Sequence, residues 1–273
     1  MLELIVKNEE ELLSFLYNNI TNYNKKQIKN FLTHESVYVN DKVITKYNYL
    51  LKVNQIVKVN VYNKSKNIDI IYEDNDIIVV DKKEGILSVS NENNKDITMY
   101  NLVSDYVKSR SKKNKIFVIH RLDKETSGLL MFAKNEKIKH LYQDNWDDLV
   151  IKREYIAIVN GKTKNSGTIK SYLNENKNHY VYSSNSGKLA ITHYKKIKET
   201  NNYTYLSVVI DTGRKNQIRV HMKELGNPIV GDTKYGKKDD KFKRLCLHAY
   251  KLVIINPITK KEMEFVSNIP KEF

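Results

Sequence analysis

The spacing of apolar positions divides the chain into a short first part and a longer second part. In the first part, apolar residues at 12, 13, 15 and 16 predict an amphipathic helix, and those at 28, 31 and 32 predict a second one. Residues 37–42 then predict a strand and turn, and residues 53–59 alternate at the period of two typical of a half-buried strand. We therefore expect one small α/β unit over residues 1–62, followed by a polar linker at 63–67.

Strand patterns dominate the remainder of the chain. Runs of β-branched residues on either side of an acidic turn predict a hairpin at 68–80. Further strands are predicted at 153–160, 191–199, 203–210 and 246–255, and helices near 97–109, 134–147 and 215–225. Because strands and helices do not alternate regularly, we expect residues 68–273 to form an α+β domain with a mixed, largely antiparallel sheet.

The charge balance indicates a polyanionic partner. Lysine and arginine number 47 against 32 acidic residues, giving a formal net charge of +15. Nucleic acid is favoured over a membrane surface, because no apolar run approaches the ~18 residues that a membrane span needs. The single cysteine, Cys246, excludes an internal disulfide and a multi-cysteine metal site. With no signal segment at its start, the chain is expected to be cytoplasmic and, by default, a monomer.

Arginine is scarce, and its positions are therefore informative. Only six of the 47 basic residues are arginine, at positions 110, 121, 153, 214, 219 and 244. A chain that relies on lysine should keep arginine where a planar, permanently charged, bidentate donor is needed. Arg121, Arg214 and Arg219 fall in the segments that carry the other candidate chemistry.

The most informative of these segments surrounds Asp123. An apolar run at 116–119 leads into a polar loop that holds Asp123, and Gly128 opens another apolar run. The pattern predicts a carboxylate on a loop between two strands, an arrangement that fixes the geometry of a catalytic group.

Two further segments supply groups that suit such a carboxylate. Thr212-Gly213 turns the chain out of a strand and into a helix that contains Arg219. A buried carboxylate that must stay ionised needs a permanent cation beside it. In residues 152–161, alternation places Tyr155 and Ala157 on one strand face, where a tyrosine offers a flat stacking surface and a hydroxyl.

These segments together resemble a known enzyme family. The first reads His120-Arg121-Leu122-Asp123-x-x-Thr126-Ser127-Gly128, which closely resembles the signature of the RluA-type pseudouridine synthases, RNA enzymes that work through one aspartate. The other two segments are similar to further motifs of that family, and residues 1–62 resemble an S4 RNA-binding domain. Asn216 stands where the family usually has histidine, and Lys83 where it usually has proline.

The resemblance implies a fold and a reaction. The fold is a catalytic domain of the pseudouridine synthase type, preceded by a small S4-like α/β RNA-binding domain. The reaction moves uracil from an N1 to a C5 bond on the ribose, with no cofactor and no metal. Asp123 would be the catalytic carboxylate, acting as a nucleophile or as a base. Arg219 would pair with it, and Tyr155 would lie under the target base.

The resemblance also implies how RNA is held. Arg121 would reach into the RNA and occupy the place that the base vacates, with His120 and Arg214 as further RNA-binding residues. Lys25, Lys26 and Lys29 would form an exposed helix face that meets phosphates. The S4-like domain favours large-subunit ribosomal RNA as the substrate, with transfer RNA as the alternative.

Two other functions remain open from the residues alone. One is an N-glycosidase in which Glu125 serves as the second carboxylate that hydrolysis uses. The other is a non-catalytic S4-type RNA-binding or ribosome-associated protein. The presence of Asp123, Tyr155 and Arg219 together favours the synthase.

Overall fold

The structure, a computed structural model, divides the chain into two compact units, residues 1–67 and 68–273. The residues that it describes are 2–21, 23–33, 35–59, 68–90, 97–239 and 241–273. The linker predicted at 63–67 lies outside them. No helix among the described residues is long and apolar enough to cross a bilayer.

The first unit combines two short helices with a four-stranded sheet and a two-stranded one. Its elements are β1 (Leu2–Ile5), β2 (Glu10–Glu11), α1 (Leu12–Asn19), α2 (Lys25–Thr33), β3 (Val37–Val39), β4 (Lys42–Val43), β5 (Leu50–Leu51) and β6 (Ile56–Val59). Both predicted helices are present, and their apolar faces bury Leu12, Leu16, Ile28 and Leu32 in one core. The four-stranded antiparallel sheet has the order β1-β6-β3-β4, and the two-stranded one is β2-β5. That this unit is an S4 domain stays a prediction.

The second unit contains eleven strands and four helices in its described part. Its strands are β7 (Asp69–Glu73), β8 (Ile77–Lys82), β9 (Phe117–Val118), β10 (Ser127–Ala133), β11 (Val150–Asn160), β12 (Ser166–Glu175), β13 (Val181–Ser184), β14 (Lys188–Glu199), β15 (Tyr203–Ile210), β16 (Leu247–Ile255) and β17 (Glu262–Val266). Its helices are α3 (Met99–Arg110), α4 (Glu136–Asp144), α5 (Trp146–Leu149) and α6 (Gln217–Glu224).

All eleven strands form one sheet, and its order explains the sequence pattern. The main path runs β13-β12-β14-β15-β11-β16-β10-β8-β7, with β17 on β16 and β9 on β10. Among these described pairings only β10 and β16 run parallel. Strands β8 and β10 read as continuous apolar runs because alternate residues pack in clusters with α3 and with α4. The expected α+β fold with a mixed, largely antiparallel sheet is confirmed.

The centre of the sheet determines where the Asp123 loop lies. Gly128 of β10 is paired with Ala249 of β16, which is paired in turn with Tyr155 of β11. Gly128 has φ +110°, and a Cβ atom there would lie 2.2 Å from the Ala249 carbonyl oxygen. Only glycine permits this close approach. The loop that precedes β10 is therefore held near Tyr155.

Candidate active site

The loop that carries Asp123 is fixed just before this residue. The Ser88 hydroxyl donates to the Leu122 carbonyl at 2.7 Å and accepts from the Leu122 N–H at 3.0 Å. Before Asp123, His120 Nε2 accepts the Met131 N–H at 3.1 Å. These bonds join the loop to its neighbours, so the Asp123 backbone has little freedom to move.

A buried lysine supports the same loop from the sheet. The Lys82 side chain is fully buried, and its ammonium donates to the carbonyls of Lys83, Ile86 and Lys124 at 3.0, 2.8 and 3.1 Å. Burial lowers the pKa of Lys82 to about 8, although the charges of Asp123 and Glu125 oppose this shift. Because Lys124 follows Asp123 directly, this ammonium holds the Asp123 loop against the 83–86 turn.

Asp123 lies in a cleft that is large for a single small ligand. The cleft has a volume of about 1480 Å³, and its lining includes Asp123, Tyr155 and Arg219. Sites for one small molecule usually measure about 300–1,000 Å³. The Asp123 side chain is 30 % exposed, so a ligand in the cleft can reach its carboxylate. This space suits a nucleotide together with part of its neighbours.

Arg219 lies beside Asp123, but its two shortest hydrogen bonds go elsewhere. Its Nε and Nη2 atoms both donate to Asp232, at 2.8 Å each. The remaining Nη1 lies 3.8 Å from Asp123 Oδ2 and 3.4 Å from Glu125 Oε2. The side chain is only 5 % exposed. The guanidinium is thus fixed by one carboxylate and presents a single amino group to the cleft.

Asp232 is the site residue that sequence reasoning did not single out. It is fully buried and also accepts the N–H groups of Lys234 and Tyr235 at 2.9 and 3.0 Å. Burial alone would raise the pKa of Asp232, but the hydrogen bonds from Arg219 hold it below its usual range. The signal in the sequence was the arginine itself, since a bidentate donor kept in a lysine-rich chain implies a carboxylate partner.

Asn216, which stands where the family usually has histidine, fits the start of α6. It precedes the helix in the left-handed conformation, with φ +54°, which asparagine tolerates better than most residues. Its side-chain amide donates to the Tyr235 hydroxyl at 3.0 Å. The Arg219 guanidinium lies 5.3 Å from the centre of the same tyrosine ring. Asn216 and Tyr235 therefore complete the packing around the arginine.

The charges around Asp123 oppose one another. Burial raises the pKa of Asp123, Arg219 lowers it, and the negative charge of Glu125 raises it again, with a net upward shift. Tyr155 is partly buried on β11 and lines the same cleft. Its hydroxyl makes no hydrogen bond to any residue that the structure describes, and burial raises its pKa. Asp123 is close enough to Tyr155 for its negative charge to raise the pKa of the tyrosine further.

The other predicted RNA-binding residues fall into two groups. Arg121, Arg214 and His120 line the cleft, and Arg121 is exposed with no ion pair among the described residues. Arg214 is exposed and donates through Nε to the Leu189 carbonyl at 2.9 Å. The second group lies on α2 of the first unit, with all three side chains exposed: Lys25, Lys26 and Lys29.

The histidines of these segments have separate partners. His120 accepts from the backbone of β10, His221 bonds to Thr192 Oγ1 at 2.9 Å, and His248 bonds to Ser127 Oγ at 2.9 Å. Burial lowers the pKa of each to about 4, so all three are neutral near pH 7. They serve as hydrogen-bonding groups that hold the loop, α6 and β16 in place.

Comparison with known proteins gives a consistent result. The sequence model of the family described as RNA pseudouridylate synthase matches residues 76–224. The chain is 31 % identical to "Ribosomal large subunit pseudouridine synthase D" of Buchnera aphidicola subsp. Baizongia pistaciae, over 90 % of this chain and 85 % of that protein. It is also 31 % identical to "Uncharacterized RNA pseudouridine synthase YhcT" of Bacillus subtilis, over 86 % of this chain and 82 % of that protein.

Solved structures support the fold. "Human RNA Pseudouridylate Synthase Domain Containing 4" aligns with a TM-score of 0.62 at 21 % identity, covering 74 % of this chain and 89 % of that one. "Human RNA Pseudouridylate Synthase Domain Containing 1" gives 0.61 at 24 % identity, covering 74 % and 83 %. The catalytic unit thus has the predicted pseudouridine synthase fold. The chain belongs to the RNA pseudouridylate synthase family and is an RluA-type isomerase that acts on RNA.

Proposed function

We propose that this protein converts specific uridines of large-subunit ribosomal RNA to pseudouridine, with Asp123 as the catalytic carboxylate. The observation that carries the proposal is that Asp123 lies on a fixed loop in a large cleft that Arg219 and Tyr155 also line. Several relatives bear the name ribosomal large subunit pseudouridine synthase, which supports ribosomal RNA as the target.

The reaction conserves all atoms of the nucleotide. The bond between C1′ and N1 breaks, uracil turns, and a bond between C1′ and C5 forms, after which C5 loses its proton and N1 gains one. Asp123 either attacks the sugar as a nucleophile or takes a proton from it as a base, and both roles need its ionised form. Arg219 Nη1, 3.8 Å away, favours that form without a direct hydrogen bond.

Tyr155 suits the role of a platform for the target base. Its ring faces the cleft from the rigid strand β11, and aromatic stacking is how proteins commonly hold a flipped base. Its hydroxyl makes no hydrogen bond to the described residues and is therefore available to uracil or to a proton transfer at C5. Enclosure of the base between Tyr155 and Asp123 would keep water from capturing the cleaved sugar.

The remaining predicted residues would bind RNA outside the reacting nucleotide. Arg121 is exposed and unpaired among the described residues, so it is free to enter the space that the flipped base leaves. Arg214 would contact a phosphate near the cleft. The exposed lysines of α2 would add salt-dependent binding to RNA phosphates, as expected for an S4-type unit in a chain of net charge +15.

The proposal extends to the state in which the protein works. We take it to act as a monomer in the cytoplasm, on ribosomal RNA in preference to transfer RNA. Light scattering of the purified protein, alone and with RNA, tests the first point. Parallel assays with the two RNA classes test the second.

One assay tests the reaction and the residue together. Wild-type protein is incubated with ribosomal and with transfer RNA, and modified uridines are mapped. Asp123→Asn should reduce pseudouridine formation by about a thousandfold or more, because a neutral amide neither attacks nor accepts a proton efficiently. The control is Asp147→Asn, which removes another exposed carboxylate of the cleft and should leave the rate near wild type.

The other outcomes contradict the proposal in different ways. Abasic sites in place of pseudouridine would indicate a glycosidase. Tight binding without any chemistry would indicate an RNA-binding protein. Pseudouridine in transfer RNA alone would retain the reaction and overturn the ribosomal target.

A further inference from the structure

Glu125 places a negative charge where an RNA enzyme should avoid one. It follows Asp123 by two residues, lines the cleft, and its side chain is 51 % exposed. A carboxylate in this position repels the phosphates of an incoming RNA and therefore weakens binding. Such a residue needs a compensating role, and its contacts indicate what that role is.

The contacts of Arg219 make Glu125 a competitor of Asp123. Two of the three guanidinium nitrogens are bound to buried Asp232, so only Nη1 faces the cleft. Nη1 donates hydrogen bonds to Glu125 Oε2 at 3.4 Å and to Asn216 Oδ1 at 3.5 Å, while its distance to Asp123 Oδ2 is 3.8 Å. Two carboxylates thus share one amino group, and the shorter contact belongs to the residue that the reaction does not require.

We propose that Glu125 is a positioning residue that takes the cleft-facing amino group of Arg219 and so keeps Asp123 without a direct hydrogen bond to it. This inference rests on the proposed function, because it treats Asp123 as the reacting carboxylate. A carboxylate held by a close guanidinium hydrogen bond is a weaker nucleophile and a weaker base. Glu125 leaves Arg219 near enough to favour the ionised form and far enough to preserve the reactivity of Asp123.

The charges facing Asp123 from each packed element agree with this role. Arg219 faces it from α6, Lys82 from β8, Lys234 from the segment after Asp232, and Tyr155 from β11. The first three are cationic, and each lowers the pKa of Asp123. The charge of Glu125 instead raises the pKa of Asp123, in the same direction as burial.

The test is the pH dependence of the single-turnover rate for Glu125→Gln. The amide keeps the shape, removes the charge and accepts a hydrogen bond more weakly than a carboxylate, so we expect Arg219 Nη1 to move towards Asp123 and the pKa of Asp123 to fall. We expect the acid limb to move to lower pH, so that the ratio of the rate at pH 5 to that at pH 8 is higher than in wild type. The rate on the plateau should fall by about threefold, because the carboxylate is less reactive.

Two matched variants separate this role from a general effect of charge. Glu175→Gln removes another carboxylate of the same cleft, one that is bound to Lys215 and His179 and is not a neighbour of Asp123. Both glutamine variants should bind RNA more tightly, but only Glu125→Gln should move the acid limb. Glu125→Asp keeps the charge and should hold the acid limb close to that of wild type.

Each result supports or overturns the inference. An acid limb that is the same in Glu125→Gln and wild type overturns it, and so does an equal movement in Glu175→Gln. If Asp123→Asn still abolishes the reaction in those cases, the proposed function stands without the inference. If wild type forms no pseudouridine on either class of RNA, the proposed function and this inference both fail.

Discussion

The buried pair of Arg219 and Asp232 gives the most direct quantitative prediction. In Asp232→Asn the amide oxygen can take the place of Oδ1, which accepts from Arg219 Nη2 and from two backbone N–H groups. The amide nitrogen then replaces Oδ2 and faces the Arg219 Nε–H, so a donor meets a donor. The variant thus keeps three hydrogen bonds and loses one charge-assisted bond.

The expected cost follows from burial. A hydrogen bond to a charged group contributes about 1.5–3 kcal/mol to stability. Asp232 is fully buried and Arg219 is 5 % exposed, so the guanidinium also loses its compensating charge where water cannot replace it. Breaking a buried pair by removing one partner typically costs about 3–5 kcal/mol. We expect Asp232→Asn to lower the free energy of unfolding of the catalytic unit by an amount in that range.

The measurement is urea unfolding followed by the fluorescence of Trp146. This is the only tryptophan of the chain and lies in the second unit, so its signal reports on the catalytic unit in a protein of two units. Asp211→Asn is the control, because the Asp211 side chain is 51 % exposed and its pair with His193 should contribute less than about 1 kcal/mol. A loss of less than about 1 kcal/mol in Asp232→Asn would refute the reasoning.

Three further predictions concern the supports of the loop and the RNA surface. The pKa of Lys82 is about 8 in the folded protein and 10.5 ordinarily. Between pH 8 and 10.5 the unfolded chain therefore binds more protons than the folded one. The free energy of unfolding should rise with pH in this range, by up to about 3 kcal/mol. Urea unfolding at pH 8, 9 and 10 should show this rise in wild type and not in Lys82→Met. Gly128→Ala should destabilise the catalytic unit by more than about 2 kcal/mol and abolish activity. In the control, Gly85→Ala, the added Cβ would have no atom within 4 Å, and the cost should be about 1 kcal/mol. A small effect at Gly128 would contradict its close approach to β16. Replacing Lys25, Lys26 and Lys29 of α2 by glutamine should reduce the slope of log K against log salt for RNA binding by about 2 and leave the single-turnover rate unchanged. The control replaces three other exposed lysines of the same unit, Lys7, Lys42 and Lys52. An equal loss in the control would count against a specific RNA-binding surface on α2.

The sequence predicts an element well where its apolar pattern agrees with burial. Strand β15 was expected at 203–210 and spans Tyr203–Ile210, because its side chains alternate strictly between half-buried and buried positions. Helix α6 was expected near 215–225 and spans Gln217–Glu224. In both, one apolar face packs against the same core, so the period read from the sequence is the one that the fold uses.

Strands β12 and β13 show where that reasoning fails. Burial alternates along most of β12, but its more buried positions include Gly167 and Ser171 beside Ile169 and Leu173, so the apolar residues do not mark the alternation. In β13 only Val181 is buried. β12 is held by pairing with β14, and β13 by pairing with β12, and such pairing leaves no local pattern in the sequence. The partnership of Arg219 with Asp232 was hidden for a similar reason, since two residues 13 positions apart meet only after the chain has turned.

The position of β16 in the sheet has a consequence for the order in which the enzyme becomes active during synthesis. Asp123, Tyr155 and Arg219 all precede β16 in the chain, yet β16 lies between β10 and β11 and joins the Asp123 loop to the strand of Tyr155. A ribosome that has translated all three residues has therefore not yet produced a complete cleft. If these residues carry the reaction, catalytic competence arrives with one of the last strands, and we expect a growing chain to stay inert towards the ribosomal RNA that surrounds it.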